Sequence, residues 1–107
     1  MIRVIVVTTN DLPGKTITEA KGLVQGSTVK AKHVGRDIGA SFKTLVGGEI
    51  TGYSDLMVEA REEATARMKK EAEALGANAI VGMRYQTAQI MTSAAEVVAY
   101  GTAVIIK

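Results

Sequence analysis

The residues that invite chemistry lie together in one short tract, Lys30-Ala31-Lys32-His33-Val34-Gly35-Arg36-Asp37. Three permanent cations and one titratable imidazole fall just before, or at the start of, a short helical pattern. A helix N-terminus carries unpaired backbone N–H groups and the positive end of the dipole, so nearby cations reinforce an attraction for phosphate or carboxylate. Lys30, Lys32, His33 and Arg36 are therefore the candidate residues for binding a small anionic ligand. The competing reading is a solvated charged loop, which is what most runs of charge are.

Other chemistries find less support. Heavy and borderline metals take thiolate or imidazole ligands in threes or fours, and this chain has one histidine and no cysteine. A site built on His33 would need several subunits to converge on a symmetry axis, so no metal ligand is assigned. The carboxylates Glu59, Glu62 and Glu63 read as the solvated face of a helix rather than as a hard-cation site. Serines 27, 41, 54 and 93 have no histidine other than His33, and no G-x-S-x-G elbow occurs. The glycines match neither a phosphate loop nor a dinucleotide fingerprint, so no cofactor is expected. No catalytic residue is assigned, and the sequence points away from an enzyme. The alternative is an enzyme with a composite site between subunits, its residues scattered along the chain.

At 107 residues the chain is expected to be a single domain, 1–107. The absence of cysteine rules out disulfides and fits a cytoplasmic location. The opening MIRVIVVTTND is too short in its apolar part for a signal sequence or a membrane span, and no membrane association is expected. The net charge of +2 is too small to suggest a nucleic-acid binder. Of the 11 acids and 13 bases in the chain, six acids and four bases lie between 54 and 75. The basic excess therefore lies off that segment.

These residues must be positioned by a small set of elements. Residues 54–75 form the dominant one, an amphipathic helix with Met57, Ala60, Ala64, Met68, Ala72 and Leu75 along one face. Ser54 is its expected N-cap, Tyr53 and Val58 its hydrophobic staple, and Gly76 its left-handed stop. The stripe is thin, because half of it is alanine; burial stabilises by only about 25 cal/mol per Å², so neighbouring chains are expected to supply part of the stability. Ile2–Thr8 and Ile17–Val29 read as strands, the second one interrupted by Gly22 and Gly26, where bulges or bends are expected. Residues 35–46 give a shorter helix ended by Gly47-Gly48, followed by a connector over 49–52. Ala79–Met91 follows as a strand with Val81, Met83 and Tyr85 on one face. Thr92-Ser93-Ala94 is a hairpin loop, and Val97–Ile106 a closing strand apolar on both faces. The order β-β-α-α-β-β predicts an α+β fold, an antiparallel sheet with one long and one short helix on one face.

The Gly47-Gly48 pair, the tract EAREEA at 59–64, LGANAIVG at 75–82 and YGTAVII at 100–106 together resemble the YbjQ-like family over essentially the whole chain. The resemblance implies a dodecin-like subunit that forms a ring of five identical chains. The family carries a heavy-metal-binding label, and the resemblance brings no catalytic or binding residues with it. The chain is thus expected to be a homo-oligomeric module that binds a small ligand or serves structurally. Metal trafficking is the third option, and it comes from the family label alone.

Overall fold

A computed structural model describes residues 3–31, 48–92 and 94–107, with the backbone alone over 48–53. The fold is α+β: one long helix lies on a four-stranded sheet. The strands are β1 (Ile5–Val6), β2 (Ile17–Ala31), β3 (Ala79–Met91) and β4 (Ala94–Ile106), and the helix is α1 (Gly48–Ala74). The sheet order is β1-β3-β4-β2. The hairpin β3–β4 and the pair β2–β4 are antiparallel, whereas β1 runs parallel to β3, with Ile5 opposite Ala79 and Val6 opposite Ile80. The sheet is therefore mixed rather than purely antiparallel, and the expected strand over 2–8 is regular for only two residues. The expected short helix at 35–46 lies outside the described residues.

The helix centres on the expected stripe. Ala60, Ala64, Met68 and Ala72 are fully buried and meet Val24, Val97, Ala99, Ala103, Ile80 and Met83 from the sheet. Small side chains let the helix approach closely, and Gly26 on β2 marks the closest point. A Cβ built there would collide with the Ala64 carbonyl oxygen and the Met68 amide nitrogen, and would stand 2.7 Å from the Arg67 Cβ. Gly26 is thus a contact glycine rather than the bend expected from the sequence. Gly22, in contrast, sits at a shift in the β2–β4 register, as expected of a bulge.

Both ends of α1 differ from expectation. The helix begins at Gly48, so Ser54 is not its N-cap, Tyr53 and Val58 are no staple, and the 49–52 connector is helical. Gly52 costs about 1 kcal/mol relative to alanine in a helix interior, which is not enough to break it. At the far end the stop is as expected, with Gly76 at φ 80°. Gly76 N–H donates to the Glu73 carbonyl (3.0 Å) and Ala77 N–H to the Ala72 carbonyl (3.0 Å), the paired bonds of a Schellman ending. That geometry buries Ala77 and swings Leu75 outward, leaving Leu75 43 % exposed instead of in the core.

A second apolar cluster, Ala79, Val81, Val104 and Ile106 with Val7 and Leu12 against it, lies apart from the helix-facing core. Val81 and Met83 thus belong to different clusters, contrary to the alternation read from the sequence. The reason is a bulge: Gly82 adopts φ 61°, and the β3–β4 register shifts between Val81 and Arg84. Asn78 fastens this end, its side chain donating to the Ile106 carbonyl (3.0 Å) and accepting from the Ile106 N–H (2.8 Å).

Candidate functional site

The helix presents three parallel rows to the sheet, each with a four-residue spacing. The apolar row 60-64-68-72 lies in the middle. The row Glu59-Glu63-Arg67-Glu71 flanks it on the side of β2, and Arg61-Thr65-Lys69 flanks it on the side of β3. Each flank builds a polar site.

On the β2 flank Lys30 projects from the end of the strand onto two carboxylates. Its Nζ lies 2.5 Å from Glu63 Oε2 and 3.2 Å from Glu59 Oε1. Thr28, the buried polar residue of this seam, donates its hydroxyl to Glu63 Oε1 (3.2 Å). The hydrogen bond from Lys30 holds the Glu63 carboxyl below its ordinary value, partly opposed by desolvation. The bonds from Glu63 and then Glu59 raise the Lys30 ammonium above its ordinary value. Farther along, Arg67 Nη1 donates to the Ser27 carbonyl (2.5 Å), and Glu71 Oε1 accepts from the Gln25 N–H (3.1 Å). Arg67 also lies 3.9 Å from Glu63, the four-apart pair visible in the sequence. Glu59 and Glu63, expected to be merely solvated, are thus anchors of the helix on its strand.

Of the four candidate residues of the basic tract the structure describes Lys30. Lys30 faces carboxylates, whereas Lys32, His33 and Arg36 lie outside the described residues. The anion reading therefore rests on those three, with Lys30 engaged elsewhere.

On the β3 flank an open groove of about 400 Å³ runs between α1 and the strand, lined by Val58, Arg61, Glu62, Thr65, Ala66, Lys69 and Tyr85. Tyr85 OH and Thr65 Oγ1 share a hydrogen bond of 2.7 Å, and the Thr65 hydroxyl also lies 2.7 Å from the Arg61 carbonyl. The groove exists because α1 lies over β2 and β4, leaving the helix side of β3 beyond Met83 uncovered by described residues. Two cations, one carboxylate and an aromatic edge suit a small molecule with an anionic group and a flat apolar body. The lining holds neither imidazole nor thiol.

A heavy-metal centre does not fit these residues. The chain has no thiol, and the adjacent carboxylates Glu59 and Glu63 already share an ammonium group. Among the described residues no three of His, Cys, Asp or Glu come together in a way that would hold an ion. No described helix is long and apolar enough to cross a membrane.

Comparison with known proteins gives a consistent picture. Residues 4–107 match the model of the YbjQ family, described as "Putative heavy-metal-binding". A UPF0145 protein of Clostridioides difficile is 55% identical over 103 residues, covering 96% of this chain and 92% of its own. A UPF0145 protein of Thermotoga maritima is 55% identical over 100 residues, covering 94% of each. Among solved structures, a protein of unknown function from Pediococcus pentosaceus, assigned to the DUF74 family, superimposes with a TM-score of 0.60 at 22% identity. It covers 97% of this chain and 98% of its own. At that identity the likeness concerns the fold alone.

Proposed function

This chain belongs to the YbjQ family of UPF0145 proteins, and from that premise we propose that it is a non-enzymatic, self-assembling module that holds a small ligand where its subunits meet. The observation that carries the reading is the set of apolar side chains left exposed on the two strands that flank β4. Leu23 is 68 % exposed, Met91 63 % and Ile90 54 %, and Val29 and Tyr85 are exposed as well. Single exposed apolar residues are ordinary; several of them on β2 and β3, the strands on either side of β4, leave apolar surface for a partner to cover. The shape agrees. The described residues form an elongated body, 56 × 24 × 23 Å.

Assembly into a ring of five chains, in the cytoplasm, is the arrangement that the family resemblance suggests. A ring also repeats any charge once per subunit, so the cations Lys32 and Arg36, beside the imidazole of His33, would add their fields around a rim or central opening. The ligand is a phosphate- or carboxylate-bearing metabolite, held at that rim or in the groove beside Tyr85. Light scattering of the untagged protein, diluted through the micromolar range, tests the assembly, with a stable oligomer expected and a folded monomer refuting it. Extraction of native material tests the ligand: an unmodified small anion recovered with the protein supports binding without turnover.

A further inference from the structure

The two outer edges of the sheet are treated differently. A free edge presents a row of unpaired N–H and C=O groups, and proteins usually cover it, bulge it or place charge on it. The β2 edge has all three kinds of protection. Arg67 and Glu71 reach from the helix to bond the outward Ser27 carbonyl and Gln25 N–H. The strand bulges twice near its start, and it carries Glu19 and Lys21 as an ion pair.

The β3 edge is different. The segment after β1 covers it as far as Met83, whose N–H donates to the Val7 carbonyl (3.1 Å). Outward-pointing backbone groups recur every second residue, so those of Tyr85, Thr87 and Gln89 face the same side as Met83. Among the described residues no backbone bond reaches them. This stretch also has no charge: Tyr85-Gln86-Thr87-Ala88-Gln89-Ile90-Met91 contains no Lys, Arg, Asp or Glu, and its side chains are exposed. Among the described residues nothing deters an incoming strand.

We propose that the β3 edge from Tyr85 to Gln89 is an interface between copies of this chain, closed by main-chain hydrogen bonds to a strand of a second copy. The proposal rests on the self-assembly reading above and specifies its contact surface. A second copy suits the edge because an uncharged strand offers no like-charge repulsion to an incoming one. In a ring the contact is head-to-tail, so the incoming strand is a segment other than β3 itself. The exposed Ile90 and Met91 beside it also call for a permanent cover, which a second copy always supplies. The added strand would close the open side of the α1–β3 groove, so the site around Tyr85 would be complete only in the assembly.

The test combines a blocking substitution with hydrogen exchange. Thr87→Pro removes one outward N–H while sparing the bonds to β4, a position where an edge strand tolerates proline. The expected result is a folded protein of reduced assembly size. Gln86→Pro, which removes a bond directed at β4, should instead disrupt the fold. In the wild type the amides of Tyr85, Thr87 and Gln89 should exchange at least ~100-fold more slowly than in a free chain. This readout decides the matter even if Thr87→Pro fails to fold. An assembled wild type whose three edge amides exchange freely overturns the proposed interface and leaves self-assembly standing. A wild type that is a folded monomer overturns both.

Discussion

Substituting Gly26 by alanine probes the seam that holds the fold together. The added Cβ would stand 2.7 Å from the Arg67 Cβ and closer still to backbone atoms of Ala64 and Met68. Carbon atoms pack at about 3.5–4.0 Å, so the helix must retreat by roughly 1 Å, a gap that forfeits a quarter to a half of each affected contact's dispersion energy. The obstructing groups are mainly helix backbone, and no flexible side-chain end can yield. Overpacking costs about 1–3 kcal/mol, and a rigid obstruction puts Gly26→Ala at the upper end. For a domain of this size about 3 kcal/mol lowers Tm by roughly 12–20 °C. The retreat would also lengthen the bonds from Arg67 and Glu71 to β2, adding to the loss. Thermal melting followed by circular dichroism reads the effect directly. Ser27→Ala serves as the neighbouring control, since it changes an exposed side chain and should stay within about 0.5 kcal/mol. A Gly26→Ala protein that melts within about 2 °C of wild type would refute the close-contact account of the helix.

Other outcomes follow from the same geometry. Ile80→Ala, at a fully buried position, should destabilise by about 2–5 kcal/mol in urea titrations, whereas Leu75→Ala should cost less than about 1 kcal/mol because its side chain is half in water. Gly76→Val forces a β-branched residue to φ 80°, and a loss of about 1–2 kcal/mol or more is expected in the same assay. The Lys30–Glu63 pair sets the pH dependence. Glu63 is depressed below 4.5, so its contribution is complete above that value and is lost as pH falls through the folded-state pKa. Lys30 is raised above 10.5, so its contribution is complete below that value and is lost as pH rises through its folded-state pKa. Denaturation across the acid limb should therefore show a shallower fall for Glu63→Gln than for wild type. Calorimetric titration with zinc, copper or nickel at neutral pH should give no stoichiometric submicromolar site, and one that survives tag removal would contradict the ligand chemistry argued above.

The parts of the fold legible in the sequence were those written in local chemistry. The 3.6-residue period located the buried row of α1, and LGANAIVG announced the helix stop and the next strand. Gly76 takes the left-handed turn, Ala77 goes into the core, Asn78 clasps β4, and Ile80 is buried. What was missed depends on neighbours distant in sequence. Gly26 looks like any strand glycine until the helix lies on it, and Leu75 completes a periodic stripe until the Schellman turn swings it out. Gly82 inverts the face of everything after it through one unpaired residue, so the parity reading holds for Met83 and Tyr85, both on the helix side, and fails for Val81. The polar anchors did leave a signal. Glu59, Glu63, Arg67 and Glu71 repeat every four residues, one position before each member of the buried row, and charged side chains so placed border the seam rather than open water. Lys30 reads as part of a basic tract because its carboxylate partners on α1, Glu59 and Glu63, are distant in sequence.

The central claim is that the chain works as an assembly with a ligand held between subunits. Native mass spectrometry of untagged protein, purified without added metal or chelator, addresses it in one spectrum. The account predicts a closed oligomer, with five copies as the family resemblance suggests, and an additional mass of a small anion that is lost on mild activation. A folded species at the mass of a single chain, persisting at micromolar concentration and carrying no additional mass, would contradict it.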